Sequence, residues 1–212
     1  MLDFSKIIHI FVSNFNLIII MKRLFLLFLI LISTGIAANA QLRFGVKGGA
    51  NLATMNDSEA KIRVAPNLGV LGQYSFPGSG VAVQFEVLYS AQGATAKEDG
   101  YSFTAAYDYI NIPVLMQYYV APGLNLEFGP HVGFLTSAKL KASESGVSAT
   151  VDVKDECNTV DYGLNFGAAY ELPSLPLGFF ARYSLGLGDV IKDMGHSSNN
   201  NRVIQIGAFY RF

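Results

Sequence analysis

The chain ends Arg202-Val-Ile-Gln-Ile-Gly-Ala-Phe-Tyr-Arg-Phe212. Read as a strand, Ile204, Ile206, Ala208, Tyr210 and Phe212 share one face, because successive side chains leave the pleat on opposite sides. The other face carries Gln205, Gly207 and Arg211, with Phe209 as an exception. A strand that is apolar on one side and tipped with aromatics suits a transmembrane β-barrel, where lipid-facing and lumen-facing residues alternate.

Seven earlier segments repeat the pattern. Segment 43–54 sets Phe44, Val46, Ala50 and Leu52 against Arg43, Gly45, Lys47, Gly49 and Asn51. Segment 67–76 sets Leu68, Val70, Tyr74 and Phe76 against Asn67, Gly69, Gln73 and Ser75, with Leu71 out of place. In 81–92, Val81, Val83, Phe85, Val87 and Tyr89 oppose Gln84, Glu86, Ser90 and Gln92. Segments 107–120, 124–136, 160–170 and 177–187 continue it, with Asn111, Glu127, His131, Asp161, Asn165 and Arg182 among the polar positions. Lengths close to the roughly 9–11 residues of a tilted membrane strand, in an even number, fit such a barrel.

The connections are a second sign. Pro77-Gly-Ser-Gly80, Ala121-Pro-Gly123 and Leu172-Pro-Ser-Leu-Pro176 are short and rich in turn formers, whereas 55–64, 93–106, 137–158 and 188–201 are longer and polar. Short and long alternate strictly, a long one first. An exported chain starting on the periplasmic side produces that order, with short periplasmic turns and long outer loops.

Alternating strands also build secreted sandwiches and lipocalin-type barrels, whose apolar faces point inward. Here the polar parity is rich in glycine (Gly45, Gly49, Gly69, Gly129, Gly133, Gly163, Gly167, Gly178, Gly186 and Gly207), a poor choice for a solvated strand but suited to a crowded barrel interior. Tyr74, Phe76, Tyr118, Tyr119, Tyr170, Tyr210 and Phe212 near strand ends read as interfacial girdles.

At the other terminus, Met21-Lys-Arg23 precedes the apolar run 24–32 and a small-x-small site, Ala38-Asn-Ala40, which reads as a secretory signal peptide cut before Gln41. A transmembrane anchor needs about 20 apolar residues, more than this run supplies. Residues 1–20 are a gene-model extension, with translation starting at Met21, or an unusually long leader. Cys157 is the sole cysteine, so no intramolecular disulfide forms, and it is too far from the cleavage site for an N-terminal lipid. Without the three bases and one acid of positions 1–40, the chain has 12 Lys/Arg and 15 Asp/Glu, a net charge of −3. That excludes a strongly basic nucleic-acid surface. After position 40 no apolar run is long enough for a membrane helix, so any crossing is by a closed barrel.

Phe44-Gly-Val-Lys-Gly-Gly-Ala-Asn-Leu52, Phe85-Glu-Val-Leu-Tyr-Ser-Ala-Gln-Gly93 and Tyr109-Ile-Asn-Ile-Pro-Val-Leu115 resemble the outer-membrane β-barrel domain of Bacteroidetes, often called PorT-like. The resemblance covers essentially all of 41–212 and implies an outer-membrane location. The family's named member is linked to protein secretion, a role that does not carry over to relatives in general.

The expected fold is therefore all-β: an eight-stranded antiparallel transmembrane β-barrel over 41–212, preceded by a cleaved signal peptide at 21–40. Side chains fill the interior of a barrel of this size. The expected lumen set is Arg43, Lys47, Arg182 and Arg211 against Glu86, Glu127, Asp161 and Glu171, four bases to four acids, with His131 in the same polar network. Such a set is a structural plug or, alternatively, the lining of a narrow channel or transport component. Asp189, Asp193, His196, Ser197 and Ser198 hold the residue types of a rim hydrolase, yet 195–201 reads more simply as a solvated loop. The acids Glu144, Asp152, Asp155 and Glu156 lack EF-hand spacing. No catalytic, cofactor or metal site is assigned. The expected partners are outer-membrane lipid and envelope proteins, with no nucleic acid and a monomeric state, and the expected role is structural or adhesive, presenting four surface loops.

Overall fold

Alternation of apolar and polar residues leaves each segment one solution in lipid, which is to pair on both edges until the sheet closes. In the computed structural model, which describes residues 41–55, 61–98, 101–144, 147–192 and 200–212, nine strands form one antiparallel sheet. They are β1 (Leu42–Met55), β2 (Lys61–Phe76), β3 (Val81–Glu98), β4 (Tyr101–Ala121), β5 (Leu124–Glu144), β6 (Val147–Asp152), β7 (Val160–Glu171), β8 (Leu177–Gly186) and β9 (Asn201–Arg211). The order β4-β3-β2-β1-β9-β8-β7-β5 closes through pairing of β4 with β5, giving the expected ring of eight. The terminal strand seats against the first, with Val46 opposite Tyr210 and Leu52 opposite Ile204. The proposed leader at 21–40 and the extension at 1–20 lie outside the described residues. No described helix is long and apolar enough to cross a membrane.

The ninth strand, β6, stands outside the ring and, among the described residues, pairs only with the far end of β5. Two stretches that read as polar loops are in large part sheet. β3 and β4 stay paired as far as Glu98 and Tyr101, and β5 and β6 as far as Glu144 and Val147. A hairpin satisfies its backbone groups internally, so it persists above the membrane without an apolar run to announce it. The 18 to 21 residues of β3, β4 and β5 exceed what a crossing needs, while β8 and β9, with 10 and 11, barely span. One side of the barrel is therefore a tall wall.

Burial is inverted relative to a soluble barrel. Val46, Leu68, Val70, Phe85, Val87, Leu126, Phe128 and Ile206 are exposed on the outside, while Lys47, Gln73, Glu86, Gln117, Glu127 and Arg182 are buried inside. At the short-turn end, the Tyr74 and Phe76 rings meet edge to face with centroids 5.1 Å apart, and Tyr210 sits 6.5 Å from Phe212. The turn between β2 and β3 needs glycine, since Gly78 and Gly80 take φ of 72° and 67°. One residue departs from the sequence reading. Tyr119 faces inward rather than joining the girdle, its hydroxyl accepting a hydrogen bond from Gln73 Nε2 at 2.9 Å. Leu71, out of place on its strand, packs with Ala169, Phe180 and Phe209 in a small apolar cluster inside the barrel.

Candidate functional site

The lumen is the place where strand parity brings distant polar residues together. Lys47 on β1, Glu86 on β3, Glu127 on β5 and Arg182 on β8 occupy inward positions of four strands and meet. Arg182 donates to both Glu86 oxygens, each at 2.8 Å, and through Nε to Glu127 Oε1 at 2.6 Å. The two-pronged contact uses the guanidinium fork, which makes it stronger and more directional than a point-charge pair. Lys47 Nζ adds a bond to Glu86 at 3.1 Å and lies 3.6 Å above the Phe180 ring. Gln84 donates to Glu86, and Gln117 to Glu127 Oε2 at 3.3 Å.

Nearer the short-turn end, Glu171 is shared by Arg43 and Arg211, and Arg211 Nη2 donates to Gln84 at 2.9 Å. Gln84 thus joins the two groups into one network. Lumen glycines make room for it. A Cβ at Gly167 would lie 2.8 Å from Glu127 Oε1, and one at Gly163 would lie 2.6 Å from His131 Cε1.

His131 and Asp161 are buried but stand apart from the ion pairs. Asn165 Nδ2 faces His131 Nδ1 at 3.2 Å, and Ser184 donates to Asn165. Asp161 is held by the Tyr162 N–H at 2.8 Å and by Asn201 Nδ2 at 3.4 Å rather than by a base. The ion-paired set is then four bases to three acids, not four to four. Asp161 lies at the start of β7, beyond reach of the bases clustered toward the other end.

Above the network the mouth is capped. Tyr107, Tyr109, Leu135 and Ala138 from the wall bury against Cys157 and Val190 from the loops, with Met55, Val153 and Ile191 packed alongside. A bridge between Cys157 and Ile191 and the hydrogen bonds Asn158 N–H to Val190 O (2.8 Å) and Lys192 N–H to Glu156 O (3.0 Å) tie the two loops together. Cys157, the sole cysteine of the chain, is a buried member of this cap. Burial and the nearby Glu156 and Asp152 charges push its thiol above the usual range. Among the earlier rim candidates, Asp193, His196, Ser197 and Ser198 lie outside the described residues. Asp189 accepts through its backbone oxygen from Asn158 Nδ2 at 2.8 Å.

A family model described as outer membrane protein beta-barrel domain matches residues 37–192. No curated protein sequence matches the chain. Among solved structures, the attachment invasion locus protein Ail of Yersinia pestis is similar at 14% identity and a TM-score of 0.46, over 81% of this chain and 98% of Ail. Neisserial surface protein A is similar at 9% identity and 0.46, over 81% and 97%. OprG of Pseudomonas aeruginosa is similar at 15% and 0.42, over 82% and 96%. Likenesses this distant carry no argument about function.

Proposed function

The chain belongs to the outer membrane protein β-barrel domain family, and from that premise we propose a small surface barrel with a filled lumen, whose work is done by the tall hairpins it holds outside the cell. The observation that carries this reading is the network of Lys47, Glu86, Glu127 and Arg182 across the interior, lying under an apolar cap. A conducting pore keeps its charged groups hydrated along a path, whereas these charges are spent on one another. Residues 21–40 are assigned as the export signal and 41–212 as the barrel, within the PorT-like group of Bacteroidetes proteins. The barrel works as a monomer in outer-membrane lipid and meets envelope or extracellular proteins through its hairpins, with no enzymatic role.

Single-channel recording in a planar bilayer tests this, with electrophoresis of boiled and unboiled samples to verify folding. A folded, silent barrel is the expected result. Steady discrete openings would replace the plug with a narrow channel lined by Arg43, Glu86, Glu127 and Arg182.

A further inference from the structure

Above the mouth, the inward face of the sheet changes chemistry. Register aligns Ile62, Ala94, Ala105, Leu140 and Val151 across β2 to β6 in one apolar row. A second row, through Phe103 and Ala149, repeats it, and residues of both rows, together with Thr95, Thr104 and Lys141 between them, line a groove of about 510 Å³. The cap covers the next row down, that of Tyr107, Ala138 and Val153, and reaches Ala105 of the row above. Phe103 and Val151 remain 53% and 59% exposed. The opposite face reads Lys61, Thr95, Thr104, Lys141 and Thr150, so the wall is amphipathic with its apolar side over the mouth.

The wall ends in an open edge. β6 is the last strand of the sheet, and among the described residues nothing pairs with its outer side. The Val153 N–H donates to Ala138 O at 3.0 Å, which fixes the phase of the β5–β6 ladder. Alternation in an antiparallel pair then turns the backbone groups of Ala149 and Val151 toward β5, and those of Ser148, Thr150 and Asp152 outward. Residues 148–152 are all exposed. Val-Ser-Ala-Thr-Val-Asp carries none of the Lys, Pro or bulge devices with which proteins usually blunt an edge.

We propose that the β6 edge and the apolar wall beside it form a docking site for an extended segment of a partner protein outside the cell, which joins the sheet as one more strand. The proposal deepens the surface role above and rests on it. An edge of alternating N–H and C=O groups is matched along its length by another backbone, and pockets for alternate side chains supply the selectivity. The register states what those side chains are. On the inner side of β6, Lys139 lies opposite Asp152 and Leu140 opposite Val151. A strand on the outer side meets the same residues and is selected in the same way, by a base at Asp152 and small or branched apolar groups at Val151 and Ala149.

Two other occupants fit less well. Copies of the barrel in one membrane point the same way, so a two-fold axis along the membrane normal brings their β6 edges together without the antiparallel alignment a symmetric edge pair requires. The segments 56–60 (Asn-Asp-Ser-Glu-Ala) and 193–199 (Asp-Met-Gly-His-Ser-Ser-Asn) are too polar to cover an apolar wall.

The test uses the protein purified from outer membranes and a labelled peptide, Ala-Lys-Leu-Lys-Ala-Ser-Glu, which copies residues 138–144. Fluorescence anisotropy reads binding, and amide hydrogen exchange reads its location. Wild type is expected to bind with a Kd below about 1 mM and to gain protection at Ser148, Thr150 and Asp152, while Ala149 and Val151 are protected with or without peptide. Thr150→Pro removes one outward donor, a change an edge strand tolerates, and is expected to weaken binding at least about tenfold with unaltered heat-dependent gel mobility. Phe103→Ser is expected to weaken it as well. Absence of binding by wild type, or equal binding by Thr150→Pro, overturns the proposal. Binding that is lost in Phe103→Ser but kept in Thr150→Pro also overturns it, because the wall then takes an acyl chain or another ligand without the edge. Channel openings in bilayers would sink the filled-lumen reading and leave the edge result standing, so the two failures are distinguishable.

Discussion

Glu86 accepts both prongs of Arg182 and the ammonium of Lys47 while 1% exposed, so its removal leaves Lys47 without a carboxylate partner and Arg182 with Glu127 alone. Breaking a buried pair from one side costs about 3–5 kcal/mol, because the remaining charge is uncompensated. Glu86→Ala is expected to lower unfolding stability by that amount in urea titrations followed by gel mobility. Arg43 pairs with Glu171 from a side chain 38% exposed, and solvent screens such a contact. Arg43→Ala is therefore expected to cost at most about 1 kcal/mol. A loss of equal size for both variants would show that the lumen is wetter than its burial indicates. Gly167 supplies a steric counterpart. An added Cβ there meets Ala181 O at 2.7 Å as well as the Glu127 carboxylate, and Gly167→Ala is expected to cost about 1–3 kcal/mol through overpacking.

Among the described residues, the two loop segments of the cap contain one regular piece, the 3-10 turn Lys154–Glu156. What holds the cap is burial of Cys157 and Val190 against Tyr107 and Tyr109. The thiolate is the reactive form of cysteine, and both burial and neighbouring acids disfavour it at Cys157. Maleimide labelling of the folded protein at neutral pH is expected to be slow, to accelerate only at a pH above that for an ordinary thiol, and to become rapid after boiling in detergent. Fast labelling of the folded protein would mean that the cap opens readily. Charge and cap close the lumen in series. Val190→Ser is thus expected to speed labelling yet leave bilayers silent, since the Lys47, Glu86, Glu127 and Arg182 network still stands below.

As a whole the molecule is asymmetric about its axis. Closure through β4 and β5 removes every free edge from the membrane zone, as lipid requires. Water tolerates a free edge, and that of β6 lies outside the ring, at the end of the tall wall. Heat-dependent gel mobility follows the ring and peptide binding follows the wall, so Thr150→Pro is expected to separate the two. Coupled loss of both would show that the wall supports the barrel rather than standing on it.

Alternation of side chains along each segment determined the strands, their number in the ring and the inside-out burial, because a period of two leaves lipid and lumen no other division of residues. The same parity placed Lys47, Glu86, Glu127 and Arg182 in the lumen. Which charges meet was decided only by the register of strands far apart in the chain, and it left Asp161 with Asn201 and turned Tyr119 inward. Tertiary structure alone also decided that 93–98 pairs with 101–106 and 139–144 with 147–152 as strands, and that Cys157 closes the mouth. Those segments are polar or mixed in sequence, and their order comes from backbone pairing and from a cap whose partners lie on other strands. Parity is a local property and can be read along the chain, whereas pairing is a relation between segments and exists once the sheet has closed.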